Sequence, residues 1–424
     1  MVGLKNVALF AASIILPASS ITWAAPIIEV ETKPIPEKYI VLLKPHADLE
    51  GHLSWAKDVH ARSLSRRDTA GVHKAWSVGS KFKAYAGEFD EETLKIIQRD
   101  ERNVHSIEPD KSWRLYKSNK KDNDDDDSNS DNTTIITQKQ APWGLGYLSH
   151  KGKTSSDYVY NSTAGTGTYA YVVDTGCWQD HVDFEGRVHL GYNAYPDSPF
   201  IDMDGHGTHV TGVISGKRYG VAKNATVICV KVFHGGGSAN TIVMDGFEWA
   251  VKDIIAKKRQ RNSVINMSLG CDRSEVFNAI VDAAYDQGIL TVVAAGNENQ
   301  PAALVSPASS ARAFSVGAID NKNTRAYFSN YGAIVDIFAP GVNIVSTYIG
   351  KKDGDNNRTM TMSGTSMASP HVAGLALYLK SLDPEKYGNS SDAHSGLRAL
   401  GVPDKVWDAG EMSPNLVAYN GVQG

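Results

Sequence analysis

A serine hydroxyl is a weak nucleophile at neutral pH and works only beside a base whose tautomer is held by an acceptor. Three stretches of this chain supply those residue types. Asp174 closes the run Tyr169-Ala-Tyr-Val-Val173, just before Thr175 and Gly176. His206 sits in Gly205-His206-Gly207-Thr208-His209-Val210, where the glycines let backbone come close and a helix enter the core. Ser366 lies in Ser363-Gly-Thr-Ser366-Met-Ala-Ser-Pro-His371, the opening of a helix that runs through Leu375 to Leu382. Pro370 is tolerated only near a helix's first turn, so Ser366 stands at the positive end. Asn297, in Ala294-Ala-Gly-Asn297, adds a side-chain N–H that can join the Ser366 backbone N–H on an oxyanion. Singly, each residue reads as a turn, a cap or a hydrogen-bonded side chain. Together they outline an acyl-transfer site.

Such residues need a scaffold that brings distant segments together. Short apolar runs at Tyr169–Val173, Thr226–Val232, Val264–Leu269, Leu290–Ala295, Phe314–Ile319 and Ile334–Phe338 alternate with helical stretches, the clearest being Thr241–Lys257 and Glu275–Asp286. Near-continuous apolar strands between helices predict an α/β fold with a doubly wound, mostly parallel sheet, whose chemistry gathers at the carboxyl ends of the strands. Ahead of it, Tyr39–Lys44, Ala47–Ser63, Lys74–Val78, Phe82–Phe89, Glu91–Arg99 and Val104–Glu108 read as strand, helix, two strands, helix and strand. That order predicts a small α+β, ferredoxin-like domain. Between the two lies Lys117 to Asn132. Asp122, Asp124, Asp125, Asp126, Asp127 and Asp131 repel one another there and nothing apolar anchors the chain, so this is an exposed, cleavable linker.

Length and composition agree with two folded units. At roughly 150 residues per domain, 424 residues predict two or three. The 43 Lys and Arg against 47 Asp and Glu leave a net charge of −4, with no pull toward nucleic acid or anionic lipid. Residues 1–25 carry Lys5, the apolar stretch Val7 to Leu16 and small residues to Ala25, the pattern of a secretory signal cut near Ala24 or Ala25. The stretch is too short for a membrane anchor. A secreted, extracellular product follows, with a vacuolar lumen as the alternative on the same route. Asn132, Asn161, Asn224, Asn357 and Asn389 head acceptor sequons for glycans, whereas Asn266, in a strand, is expected to be buried and unmodified. Three cysteines leave at least one thiol unpaired within the chain.

Residues 136–424 resemble the subtilisin-like serine proteases, nearest to the fungal proteinase K branch. The likeness rests on Val-Asp174-Thr-Gly, Gly-His206-Gly-Thr-His-Val, Asn266-Met-Ser-Leu-Gly270, Ala-Ala-Gly-Asn297 and Gly-Thr-Ser366-Met-Ala-Ser-Pro-His-Val-Ala-Gly374, in that order. No Gly-x-Ser-x-Gly elbow surrounds Ser366, which argues against a lipase or esterase. The amino-terminal unit, with Tyr39-Ile-Val-Leu-Leu-Lys-Pro45, resembles the inhibitory propeptide of these enzymes. The division expected is signal 1–25, propeptide 26–116, linker and processing region 117–135, and protease 136–424.

The resemblance implies a monomeric serine endopeptidase, made as a self-processing zymogen that is first cut between Lys117 and Thr137, with Ile136 favoured as the mature start. Its own propeptide acts as inhibitor, and neither nucleic acid nor membrane is a partner. It assigns Asp174, His206, Ser366 and Asn297 to catalysis and gives His209 a buried packing role. Ser268, Leu269 and Gly270 form one substrate rail, and Gly235, Gly236, Gly237 and Ser238 the other. Ala294 and Gly296 wall a pocket for an apolar or aromatic residue before the scissile bond, with charged residues poorly received. No cofactor is required for chemistry. A structural calcium is expected at Asp336 with the Ala311 and Ala313 carbonyls, against the alternative that Asp336 only bridges backbone. The cysteines depart from the branch's pattern: Phe314 stands where a half-cystine belongs. Pairing among Cys177, Cys229 and Cys271 stays open, with Cys229 read as core and Cys177 and Cys271 as candidate mercurial-sensitive thiols.

Overall fold

The computed structural model describes residues 33–63, 70–115, 121–123, 134–352 and 354–422. The expected signal, most of the linker and the Asn132 sequon lie outside these residues. The amino-terminal unit consists of β1 (Pro34–Leu43), α1 (Leu49–Arg62), β2 (Gly71–Val78), β3 (Phe82–Glu88), α2 (Glu91–Gln98) and β4 (Val104–Arg114), in the order anticipated. Its four strands pair antiparallel as β4-β1-β3-β2. α2 starts cleanly because the Asp90 carboxylate accepts the Thr93 N–H.

The larger unit is built on a nine-stranded sheet. Its labelled strands are β5 (Tyr169–Asp174), β6 (Val188–Asn193), β7 (Thr226–Lys231), β9 (Ser263–Met267), β10 (Leu290–Ala294), β11 (Phe314–Ile319) and β12 (Ile337–Pro340), and β8 (Gly237–Ala239) is a short strand outside it. The spatial order β12-β11-β10-β9-β5-β7-β6 is parallel throughout, and the two-residue strands Leu416–Val417 and Val402–Pro403 extend the β12 edge. Side chains on both faces of the central strands are buried: Val172, Val230, Ile265, Val292 and Val316 are all fully inaccessible. Helices α4 (Asn240–Ala256) and α5 (Glu275–Asp286) cover one face. The other is covered by α3 (His206–Ser215) and α6 (Thr365–Leu382). A hairpin of β13 (Ile344–Thr347) and β14 (Thr359–Met362) leads into α6, and α7 (Ser390–Leu400) follows it. Gly374 lets α6 come close to α3, since a Cβ there would lie 2.8 Å from Val221 and 3.1 Å from the Ile214 carbonyl.

The two units share structure. β8 adds to the edge of the amino-terminal sheet, pairing antiparallel with β4 (Gly237 with Arg114, Ser238 with Trp113, Ala239 with Ser112). Trp76, Val78, Phe82 and Trp113 belong to the same apolar cluster as Val243, Phe247, Phe277 and Ile280 of α4 and α5. Beyond β4, Lys121–Asn123 pairs antiparallel with β14. Among the described residues no helix is long and apolar enough to cross a membrane.

Candidate active site

Each of the three chemically suggestive residues stands where an element ends or begins. Asp174 is the last residue of β5, His206 the first of α3 and Ser366 the second of α6, and none is more than 2% exposed. Gly205 makes the entry to α3 possible, with φ near +94° and no room for a Cβ beside the Tyr348 ring. Behind it Asp202 caps the helix: one carboxylate oxygen accepts the Asp204 and Gly205 N–H groups, and the other accepts Thr208 N–H and its hydroxyl.

Asp174 Oδ1 receives two donors, His206 Nδ1 at 2.8 Å and Thr175 N at 2.8 Å. The bond fixes the imidazole with its proton on Nδ1 and leaves Nε2 as acceptor. Nε2 is buried and has no partner among the described residues. Burial works against charging this ring, but the Asp174 carboxylate, with Asp204 and Asp202 behind it, outweighs burial and raises its pKa above the usual value. Ser366 Oγ does not bond to this nitrogen. It donates to the Ser268 carbonyl at 2.9 Å, while Ser268 Oγ donates to the Ser366 carbonyl at 2.9 Å.

Asn297 has its amide oriented by two donors. Thr365 N and Thr365 Oγ1 both reach Asn297 Oδ1, at 2.9 and 2.7 Å, so Nδ2 faces the other way. A Cβ placed on Gly364 would lie 3.2 Å from Asn297 Nδ2 and 3.6 Å from the Ser366 N–H nitrogen. Two N–H donors therefore border one small space that exists because residue 364 lacks a side chain. Ser268, Leu269 and Gly270 follow β9, and all three are buried. Gly235 and Gly236 form a tight turn at positive φ, and Gly237 and Ser238 begin β8, the strand already paired with β4.

Ala294 ends β10, and Gly296 follows at φ near +105°, with a Cβ excluded by Asn330 Nδ2 at 2.1 Å and Glu298 Oε2 at 2.6 Å. The sequence reading missed both neighbours. Asn330 binds the Ala295 carbonyl, the Glu298 carboxylate and the Glu298 and Gln300 N–H groups, and so shapes the whole loop. Burial pushes the Glu298 carboxyl up, partly offset by the Asn330 bond. The only sequence signal was the Asn330 amide itself, more than thirty positions from the loop it organises.

His209 and His371, the other buried histidines of α3 and α6, are held by backbone carbonyls. His209 shares Nε2 between the Ile344 and Met360 carbonyls, each at 3.0 Å, and burial lowers its pKa to about 3. His371 bonds the Met367 carbonyl and is lowered to about 4 by burial. Cys177 and Cys229 form a disulfide, which corrects the reading of Cys177 as a free thiol and of Cys229 as plain core. Cys271 is free and buried, with its pKa raised by burial. Asn266 is fully buried, accepting Ser369 Oγ and donating to Ser268 Oγ.

A calcium ion does not fit the residues at Asp336. Its Oδ2 accepts Ser315 N at 2.8 Å, and its Oδ1 meets Arg398 Nη1 at 2.7 Å and His394 Nε2 at 3.1 Å. A guanidinium already holds the position a cation would take, whereas calcium asks for roughly six to eight oxygen ligands. Ala311 and Ala313, just before β11, bring no further carboxylate, and no group of three or more His, Cys, Asp or Glu suited to a metal occurs among the described residues. Phe314, at the expected half-cystine position, packs edge-on against the His394 ring at 4.7 Å.

Known proteins resemble this chain over most of its length. Residues 165–402 match the subtilase family model, and residues 38–116 match the peptidase inhibitor I9 model. The chain is similar to subtilisin-like proteinase Mp1 of Magnaporthiopsis poae, 49% identical over all of both chains. It is 46% identical to an alkaline proteinase of Hapsidospora chrysogena, covering 96% of this chain and 98% of the other. Among solved structures, a cold adapted subtilisin-like serine proteinase superposes with a TM-score of 0.61 at 34% identity, over 67% of this chain and 100% of that one.

Proposed function

The chain belongs to the subtilase family and is a serine endopeptidase carrying an I9-type propeptide, and on that premise we propose that Asp174, His206 and Ser366 act as its triad. The observation that carries the reading is the His206 imidazole, bound through Nδ1 to Asp174 and left with a bare Nε2. Attack requires Ser366 Oγ to leave the Ser268 carbonyl and reach that nitrogen, which rotation about the Cα–Cβ bond would have to accomplish. As Oγ bonds the substrate carbonyl carbon, its proton passes to Nε2 and the carbonyl oxygen becomes an oxyanion, held by Asn297 Nδ2 and the Ser366 N–H. His206 then gives the proton to the departing amine, and water repeats the sequence on the acyl-enzyme. Activity climbs with pH through the raised pKa of His206 and levels above it.

Substrate backbone lies between Ser268–Gly270 and Gly235–Ser238 as an added strand. The β4–β8 pairing supports this, since the chain's own amino-terminal unit already uses that edge. Ala294 and Gly296 favour an apolar or aromatic residue before the scissile bond, and Glu298 beside Gly296 makes an acidic one the least welcome. Residues 26–116 act as propeptide, 117–135 as processing region and 136–424 as the mature enzyme, released by its own cut. The I9-type propeptide supports release by the enzyme's own cut. The signal at 1–25 sends the product out of the cell.

Ser366→Ala in the full chain should abolish casein hydrolysis and labelling by a serine-directed fluorophosphonate, and should stop maturation when no other protease is present. Retained labelling at any other serine would defeat the assignment.

A further inference from the structure

Behind the Asp174–His206 pair lies a buried lysine. Lys231 ends β7 opposite Asp174 in the parallel register of β5 and β7, and is 1% exposed. Its Nζ donates to the Thr175 carbonyl at 2.7 Å and the Phe233 carbonyl at 2.8 Å. Thr175 is the joint between the catalytic elements. Its N–H binds Asp174 Oδ1, and its hydroxyl accepts the N–H of Gly207, the residue after His206, at 2.9 Å. A second zipper, Val232 N to the Asp174 carbonyl at 2.9 Å, closes the same strand ends. Lys231 thus pins the peptide that orients both partners of the pair.

Charge gives the lysine a further task. Asp174 and Asp202 are two carboxylates within 1% of full burial, and Asp174 Oδ2 has no partner among the described residues. Burial lowers the Lys231 pKa below its ordinary value, while the charges of Asp202, Asp174 and the half-buried Asp204 oppose that shift. His209 and His371, the other titratable rings nearby, are neutral at working pH. With His206 neutral, Asp174, Asp202 and Lys231 sum to one negative charge. When His206 takes the serine proton, the buried set becomes neutral.

We propose that Lys231 is a positioning residue of the catalytic pair, pinning Thr175 and offsetting one of two buried carboxylates so that the buried charges balance when His206 is protonated. This rests on the triad reading above. Without the ammonium, two uncompensated carboxylates would hold a proton on His206 in the resting enzyme, and a higher pH would be needed to free the base.

The test compares Lys231→Met with the matured wild type on a peptide anilide. Active sites are counted by fluorophosphonate burst, and kcat and KM are measured from pH 5 to 10. Expected are a kcat lower by about tenfold per titrated site, KM within twofold, and an acidic limb moved up by about half a pH unit or more. An unmoved limb with kcat unchanged overturns the proposal, as does a loss confined to the number of active sites. Should Lys231→Met not accumulate, Lys231→Arg decides: a wild-type limb with most of kcat supports the charge role, and a displaced limb with the charge kept refutes it. Failure of the triad reading is seen separately, as residual activity in Ser366→Ala.

Discussion

Among the described residues, the protease unit contains two aspartate–histidine pairs at opposite ends of one parallel sheet, Asp174 at the carboxyl end of β5 and Asp336 just before the start of β12, and their surroundings differ. Asp174 meets His206 at 2.8 Å and Asp336 meets His394 at 3.1 Å, so distance alone hardly separates them. The difference lies in what else each group touches. Asp336 is filled by three donors, with Arg398 on the oxygen that His394 shares. Asp174 has one oxygen without a partner among the described residues, Lys231 binds the neighbouring Thr175 carbonyl, and the proton held between the pair leaves His206 Nε2 open. The His394 ring packs edge-on against Phe314 and Tyr285, and its far nitrogen, Nδ1, is also without a partner among the described residues, so the two pairs differ at the carboxylate rather than at the free nitrogen. A carboxylate beside an imidazole becomes a base–orienter pair only when no stronger cation saturates the acid.

The sharpest way to break that contrast is the same isosteric change at both aspartates. Asp174→Asn should lower kcat by about 10⁴, the loss seen when a triad aspartate is changed on an unrelated fold, through the wrong imidazole tautomer. Asp336→Asn should leave kcat within twofold and show itself only in thermal unfolding. Steady-state kinetics on burst-titrated enzyme measures both, and comparable kcat losses would dissolve the distinction. Next in size is Asn297→Ala, expected to cost 10²–10³ in kcat with KM little changed, the magnitude known for this donor in a subtilisin. A loss below fivefold would remove Asn297 from the oxyanion site.

Which parts of this were legible in the chain follows from how far apart the interacting residues lie. The central strands could be read because burial on both faces writes a continuous apolar run, as in Tyr169–Val173 and Phe314–Ile319. β6 could not, since Val188–Asn193 is an edge strand carrying exposed His189 and Leu190. β4 runs on to Arg114 past the expected Glu108 because β8 pairs with its end from another unit, which no local pattern records. The expected strand Ile334–Phe338 starts instead at Ile337, because Asp336 turns its side chain to Ser315, His394 and Arg398. The family resemblance could point to Asp336 but could not reveal Arg398, sixty-two positions later. The same distance effect hid the Cys177–Cys229 bond.

The contrast extends to carboxylates that join the two units. Half-buried Glu108 and buried Asp110 of β4 lie against the starts of α5 and α4: Glu108 meets Ser274 Oγ and Glu275 N, and Asp110 meets Thr241 N and Oγ1 at 3.2 and 2.8 Å. Burial raises both pKa values above the ordinary carboxylate range, with these bonds and Lys111 or Lys38 opposing it. A pKa raised in the joined state means that joining takes up protons. The favourable contribution is complete below the ordinary carboxylate pKa near 4 and is lost as pH rises through the raised values. Inhibition by the separated propeptide should therefore weaken as pH rises from about 4, and the Glu108→Gln, Asp110→Asn double variant should flatten that slope. His105, 3.3 Å from Glu275 on the same edge, is replaced by Gln in both backgrounds so that its own titration does not contribute. Inhibition constants measured across pH decide this, and an equal slope in the two proteins would assign the effect elsewhere.

The smallest expected effect probes the cation at Asp336. Arg398→Met removes the donor on Oδ1 and leaves Ser315 N and His394 Nε2, so the carboxylate keeps two of its three contacts. A hydrogen bond to a charged group contributes about 1.5–3 kcal/mol when shielded, but the Arg398 side chain is 43% exposed and solvent screens part of this. About 1 kcal/mol remains, or a fall in Tm of about 2–4 °C for a domain of this size. Because the chain supplies its own cation here, a chelator should leave the difference between wild type and variant unchanged. If 10 mM calcium instead restored the Tm of Arg398→Met to the wild-type value while leaving the wild type unmoved, the arginine would be standing in a place that still has the oxygen ligands for a metal. That result would keep the catalytic pair as described and change the reading of its counterpart, from a pair closed by design of the local fold to a metal site occupied by a side chain.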